Sequence, residues 1–102
     1  MIQVVASIFI EEGQMPAALE IYEGFVPKVN AEAGCLQYMP TIDLETDVGT
    51  QVREANVITV IERWENMAAF KAHLTAPHVV AYRRAVKGIV SKVSIKVLQE
   101  AV

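Results

Sequence analysis

Residues 2–10 are rich in β-branched and aromatic side chains and predict a buried strand. Glu11–Gln14 reads as a turn, and Pro16 suits the first turn of a helix. Met15, Ala18, Leu19, Tyr22, Phe25, Val26 and Val29 then recur at helical spacing, while Glu20, Glu23, Lys28 and Glu32 fall mostly elsewhere. Gly24 and Pro27 interrupt this pattern without ending the apolar stripe, which predicts a kink near Gly24. Ala33-Gly34 closes the helix, with Gly34 as its left-handed cap. Residues 35–42 predict a second strand whose Pro40 fits an edge or a bulge. Residues 43–54 are polar, contain Gly49 and read as a long, mobile hairpin connection. Residues 55–64 predict a third strand, and Asn66 caps the helix that follows. That helix runs to about Leu74, is broken at Pro77, and resumes from about His78 to Lys87. Residues 91–99 predict the last strand.

The order β-α-β-β-α-β is the ferredoxin-like α+β arrangement, with an antiparallel sheet and both helical segments on one face. Ile2, Val4, Ala6, Ile8 and Ile10 share one side of the first strand, yet Val5 and Phe9 occupy the other. In the third strand Val57 and Ile61 oppose Ile58, Val60 and Trp64. A sheet with one wet face carries polar residues at one parity. A chain this short has no spare element to cover the second face, so a homodimer is expected.

At 102 residues, the whole chain, 1–102, reads as one domain. Its hydrophobic share of 53% excludes intrinsic disorder. A net charge of −3 argues against a nucleic-acid partner. No apolar run approaches the roughly 20 residues of a membrane span, so no membrane partner is expected. Cys35 is the only cysteine, which excludes an internal disulfide or a multi-cysteine metal cluster and fits a reducing, cytoplasmic setting. It has no flanking cation and reads as an inert thiol.

Three segments together resemble a known family: Glu32-Ala33-Gly34-Cys35-Leu36-Gln37-Tyr38, Glu62-Arg63-Trp64-Glu65-Asn66, and Ala72-His73-Leu74-Thr75-Ala76-Pro77-His78. The chain resembles the antibiotic-biosynthesis-monooxygenase (ABM) family of dimeric α+β-barrel proteins over almost its whole length. The resemblance implies a homodimer with sheets face to face and a small-molecule cavity in each subunit. Members include cofactor-independent monooxygenases of quinols and polycyclic phenols, haem-degrading enzymes and an isomerase of a phosphorylated sugar derivative. The haem-degrading members resemble a pattern with an Asn on the first strand, a Trp, and an axial His on the second helix. Ser7 and Arg83 stand near the Asn and axial His positions, and arginine does not ligate iron at neutral pH.

His73 and His78 are five residues apart, about 140° around an unbroken helix, and no carboxylate stands at matching spacing nearby. A metal site from these two alone is not expected. His73 is the candidate catalytic imidazole, with Glu62 as its acid/base partner if the two meet. Glu62 and Trp64, two apart on a strand, point to one face, and Glu62 interrupts an otherwise apolar stripe. Tyr38, Trp64, Tyr82 and His78 are candidate substrate-binding residues, while Phe70 reads as core. Arg83 and Lys87, one helical turn apart, fit either an acidic substrate group or a solvated helix face.

No phosphate loop, dinucleotide fingerprint or Ser/His/Asp arrangement is present, and no cofactor is expected. Together with the resemblance, these features make a cofactor-independent monooxygenase that oxidises a small quinol or phenol with O₂ in an apolar pocket the first expectation. Two alternatives stay open: a small carbonyl-compound isomerase using the same proton-transfer pair, and a non-catalytic dimeric binding module.

Overall fold

The computed structural model describes residues 1–102. Its elements are β1 (Ile2–Ile10), α1 (Met15–Asn30), β2 (Cys35–Thr41), β3 (Val57–Trp64), α2 (Met67–Leu74), α3 (Pro77–Ala85) and β4 (Val90–Leu98). The four strands form one antiparallel sheet in the order β2-β3-β1-β4, as the ferredoxin-like reading requires. β2 lies at one edge, where the missing N–H of Pro40 leaves no central ladder bond unmade. The pairing of β2 with β3 shifts between Cys35 and Gln37.

The inward parity of β1 places Val4, Ala6, Ile8 and Ile10 against Ala18, Tyr22, Phe25 and Val29 of α1 and Phe70 and Val79 of the later helices. Ile58, Val60 and Trp64 extend this core across β3 and are fully buried. The helical layer stops short of β4. Val93 and Ile95 share the helix-side parity with Ile8 and Ala6, yet remain 54% and 48% exposed. On the opposite face, Met39, Ile61 and Val5 make one apolar row, flanked by Thr41, Thr59 and Ser7. Lys92 and Lys96 pair with Phe9 and Val5 there, and the Lys92 ammonium stands 5.2 Å from the Phe9 ring centroid.

α1 runs through Gly24 and Pro27 to Asn30 as one helix. Its C-cap is Ala31, in right-handed conformation, so Gly34 is not the helix cap that the sequence suggested. Gly34, with φ of +81°, instead turns the chain into β2. A Cβ there would stand 2.5 Å from the Ala69 Cβ, so α2 can lie against this turn only because residue 34 has no side chain. Asn66 caps α2 as expected, accepting a hydrogen bond from the Ala69 N–H.

Gly34→Ala combines a left-handed backbone with a contact closer than real Cβ atoms adopt, and is expected to destabilise the protein by about 2 kcal/mol or more in urea denaturation. Gly24→Ala, inside α1 with nothing within 4 Å of the new methyl, is expected to stabilise by roughly 0.5–1 kcal/mol.

Candidate active site

The turn between α1 and β2 carries Glu32 to the meeting point of α2 and α3. One carboxylate oxygen, Glu32 Oε2, stands 2.8 Å from His73 Nδ1 and 2.7 Å from His78 Nε2. A carboxylate has no proton to give, so both rings donate. This sets the tautomers: neutral His73 carries its proton on Nδ1 and keeps a lone pair on Nε2. His73 sits in the last turn of α2, with its ring centroid 4.8 Å from that of Trp64 and 6.3 Å from that of Phe70. Packing and the carboxylate together fix the imidazole.

His73 lines a cavity of about 340 Å³ between the sheet and the helices. That volume lies in the range of small-molecule sites, roughly 300–1,000 Å³. Val4, Ala6, Ile8 and Phe25 form apolar walls, and Val93 and Ile95 form the side that the helices leave uncovered. Glu62, Tyr22, Tyr38 and Tyr82 add polar atoms, while Arg83 and Lys87 bring cations from exposed positions of the α3 region.

Glu62 is placed by sheet register, paired with Val4 on β1 and Tyr38 on β2, so its carboxyl points under the helices. Only 5% of the residue is exposed. Its Oε1 accepts a 3.0 Å hydrogen bond from the Trp64 indole N–H. Burial pushes the Glu62 carboxyl up to about 7 from its ordinary 4.5; the Glu32 charge adds to the rise and the indole N–H opposes it. The Tyr22 and Tyr82 hydroxyls are 2.5 Å apart, and the Tyr82 ring stacks on Phe25 with centroids 4.5 Å apart. Burial pushes the Tyr22, Tyr38 and Tyr82 hydroxyls above the usual tyrosine value, so all three remain protonated donors at neutral pH. The Cys35 thiol is likewise raised, first by burial and then by the Glu32 charge.

The cavity thus brings His73, Glu62, Tyr38 and Tyr82 together. Two expected substrate-binding residues stand elsewhere. Trp64 is wholly buried behind the cavity wall, bonded to Glu62 and packed on the His73 ring. His78, at the start of α3, is turned to Glu32 and lines a shallow groove beside Lys28 and Gly24. Glu32 was not singled out in the sequence as part of the chemistry. Its one signal there is its place at the head of the Glu32–Tyr38 segment.

Residues 1–85 match the family model described as "Antibiotic biosynthesis monooxygenase". The chain belongs to this family. It is 38% identical over 104 residues to the "Probable quinol monooxygenase YgiN" of Escherichia coli, with all of both chains covered. The ABM fold is also matched by solved structures. A Pseudomonas aeruginosa protein aligns at 25% identity and a TM-score of 0.82, covering 99% of this chain and 94% of its own. A Mycobacterium tuberculosis protein aligns at 21% identity and a TM-score of 0.78, covering 99% and 98%. No helix is long and apolar enough to cross a membrane.

The raised Glu62 carboxyl fixes the sign of a stability effect. Between about pH 4.5 and 7 the unfolded chain loses this proton while the folded chain keeps it, so ionising the buried group lowers stability as pH rises. Glu62→Gln retains an acceptor for the indole and removes the ionisation. Its stability relative to the unsubstituted protein is expected to improve by on the order of 2–3 kcal/mol between pH 4.5 and pH 8, measured as urea midpoints across that range.

Proposed function

We propose that the chain is a cofactor-independent monooxygenase that oxidises a small quinol with O₂ in the cavity under the helices. The observation that carries this reading is the Glu32–His73 pair at the wall of an apolar cavity whose other polar groups are proton donors. His73 Nε2 takes the proton from a quinol hydroxyl, while the Glu32 carboxylate orients the ring and offsets the charge it gains. Glu62, protonated below about pH 7 and held by Trp64, offers its other oxygen's proton as a hydrogen bond to the oxygen that becomes anionic. Tyr38 and Tyr82 position the ring system with further O–H donors, and the apolar walls shield the reacting atoms on the helix side.

The quinolate gives one electron to O₂, and the resulting radical pair combines to place oxygen on a ring carbon. The O–O bond of the ring hydroperoxide then breaks as the ring proton is lost, the outer oxygen leaves with that proton as a single water, and tautomerisation gives a hydroxyquinone. One oxygen atom is thereby retained and the other leaves as water, with the quinol supplying both electrons. Homodimerisation through the open face of the sheet fits this reading, because the Met39–Ile61–Val5 row is apolar surface that a second copy would bury. A free Cys35 thiol suits a cytoplasmic setting.

The test follows dissolved O₂ with 1,4-naphthoquinol and no added cofactor. Consumption above the autoxidation blank, with one O₂ per quinol and a hydroxyquinone product, is the expected result. His73→Ala is expected to lower kcat by about 10²-fold or more. Because Glu62 acts in its protonated form, activity is expected to fall as pH rises through about 7, and Glu62→Gln is expected to abolish that fall. Consumption that is unchanged in His73→Ala would remove the base assignment.

A further inference from the structure

We infer that Glu32, His73 and His78 form a binding site for a divalent transition-metal ion of the zinc type, one ion per chain. Each residue offers one ligand atom, and Glu32 Oε2, His73 Nδ1 and His78 Nε2 all lie within 4.8 Å of one another. Two imidazole nitrogens and one carboxylate oxygen are the donor set of an open zinc site, in which water takes the remaining position. The site adjoins the ring-binding cavity and shares His73 with it. It uses the Nδ1 side of His73, together with His78, which opens onto its own groove.

The geometry requires little movement. A tetrahedral ion with bonds of about 2.0–2.1 Å holds its ligand atoms about 3.3 Å apart. The two carboxylate–imidazole gaps, 2.8 and 2.7 Å, widen by about half an ångström. The imidazole–imidazole gap, at most 4.8 Å, closes by no more than about 1.5 Å. His78 can supply most of that closure, since it lies at the first turn of a short helix and its side chain is 22% exposed. The same exposure gives the ion an entry path. His73, only 7% exposed and packed on Trp64 and Phe70, is the fixed member. The ion replaces the two N–H protons now directed at one oxygen and compensates the carboxylate charge; neutral His73 bound through Nδ1 then carries its proton on Nε2, so the metal-bound form is distinct from the form in which that nitrogen accepts a proton.

The test uses untagged protein and no substrate, so it stands or falls independently of the oxygenase reading. Titration with Zn²⁺ alone by calorimetry is expected to give one ion per chain with a dissociation constant of about 1 µM or below. Co²⁺ is expected to develop the intense visible absorption of a four-coordinate ion. His78→Ala removes a partly exposed ligand without opening the core. It is expected to weaken Zn²⁺ binding at least ~100-fold, since even outer-sphere partners of metal ligands change affinity 10–100-fold. Glu32→Gln, close in shape, provides a second variant with the same expected loss. Far-ultraviolet circular dichroism confirms that both are folded. Absence of binding by the unsubstituted protein, or binding that survives both substitutions, overturns the site.

Discussion

The Glu32 carboxylate joins parts of the chain that nothing else brings to one point. It lies in the turn after α1 and accepts hydrogen bonds from the end of α2 and the beginning of α3. Two charge-assisted bonds to one mostly buried carboxylate tie those short helices together beside their apolar contacts. Their placement determines where the helical layer stops, and hence where the cavity begins. One of these bonds is made by His73, which lines the cavity, so a contact that organises the fold also orients the imidazole.

A second constraint comes from the sheet. Register places Tyr38, Glu62 and Val4 in one row beneath the helices, so Glu62 cannot turn to water without breaking the alternation of β3. Its acidity is therefore a property of strand pairing. The indole of Trp64, two residues along the same face, supplies the donor that keeps the carboxyl from being an unpartnered buried group. Tyr22 and Tyr82 solve the same problem by bonding to each other.

Much of the architecture was legible in local patterns. Pro77 divides the second helical segment because its ring cannot follow the preceding turn, and Pro40 marks an edge strand because it lacks a ladder donor. The inward parity of β1 and β3 could be read from side-chain alternation. Gly34 shows where such reading stops: a glycine after a helix suggests a cap, but here the close approach of Ala69, far along the chain, determines its use. The site was legible only in part for the same reason. His73 and Glu62 stood out by type and surroundings, whereas Glu32 lies 41 residues before His73 and resembles any solvated acid near a helix end. Strand parity gives the face of Trp64 but not its depth, which the structure shows to be complete burial. Sequence spacing made His73 and His78 an unpromising pair, and only the break at Pro77 lets both reach one oxygen.

The uncovered inner side of β4 separates two kinds of selection. Most cavity walls, such as Val4 and Phe25, are also core, where a change of volume costs folding free energy. Val93 and Ile95 shape the same space while still about half exposed, so their contribution to folding is correspondingly small. Substitutions on this strand can reshape the ligand's surroundings while the remaining three strands hold the fold. The open edge thus allows a small scaffold to diverge in ligand preference without first acquiring surplus stability.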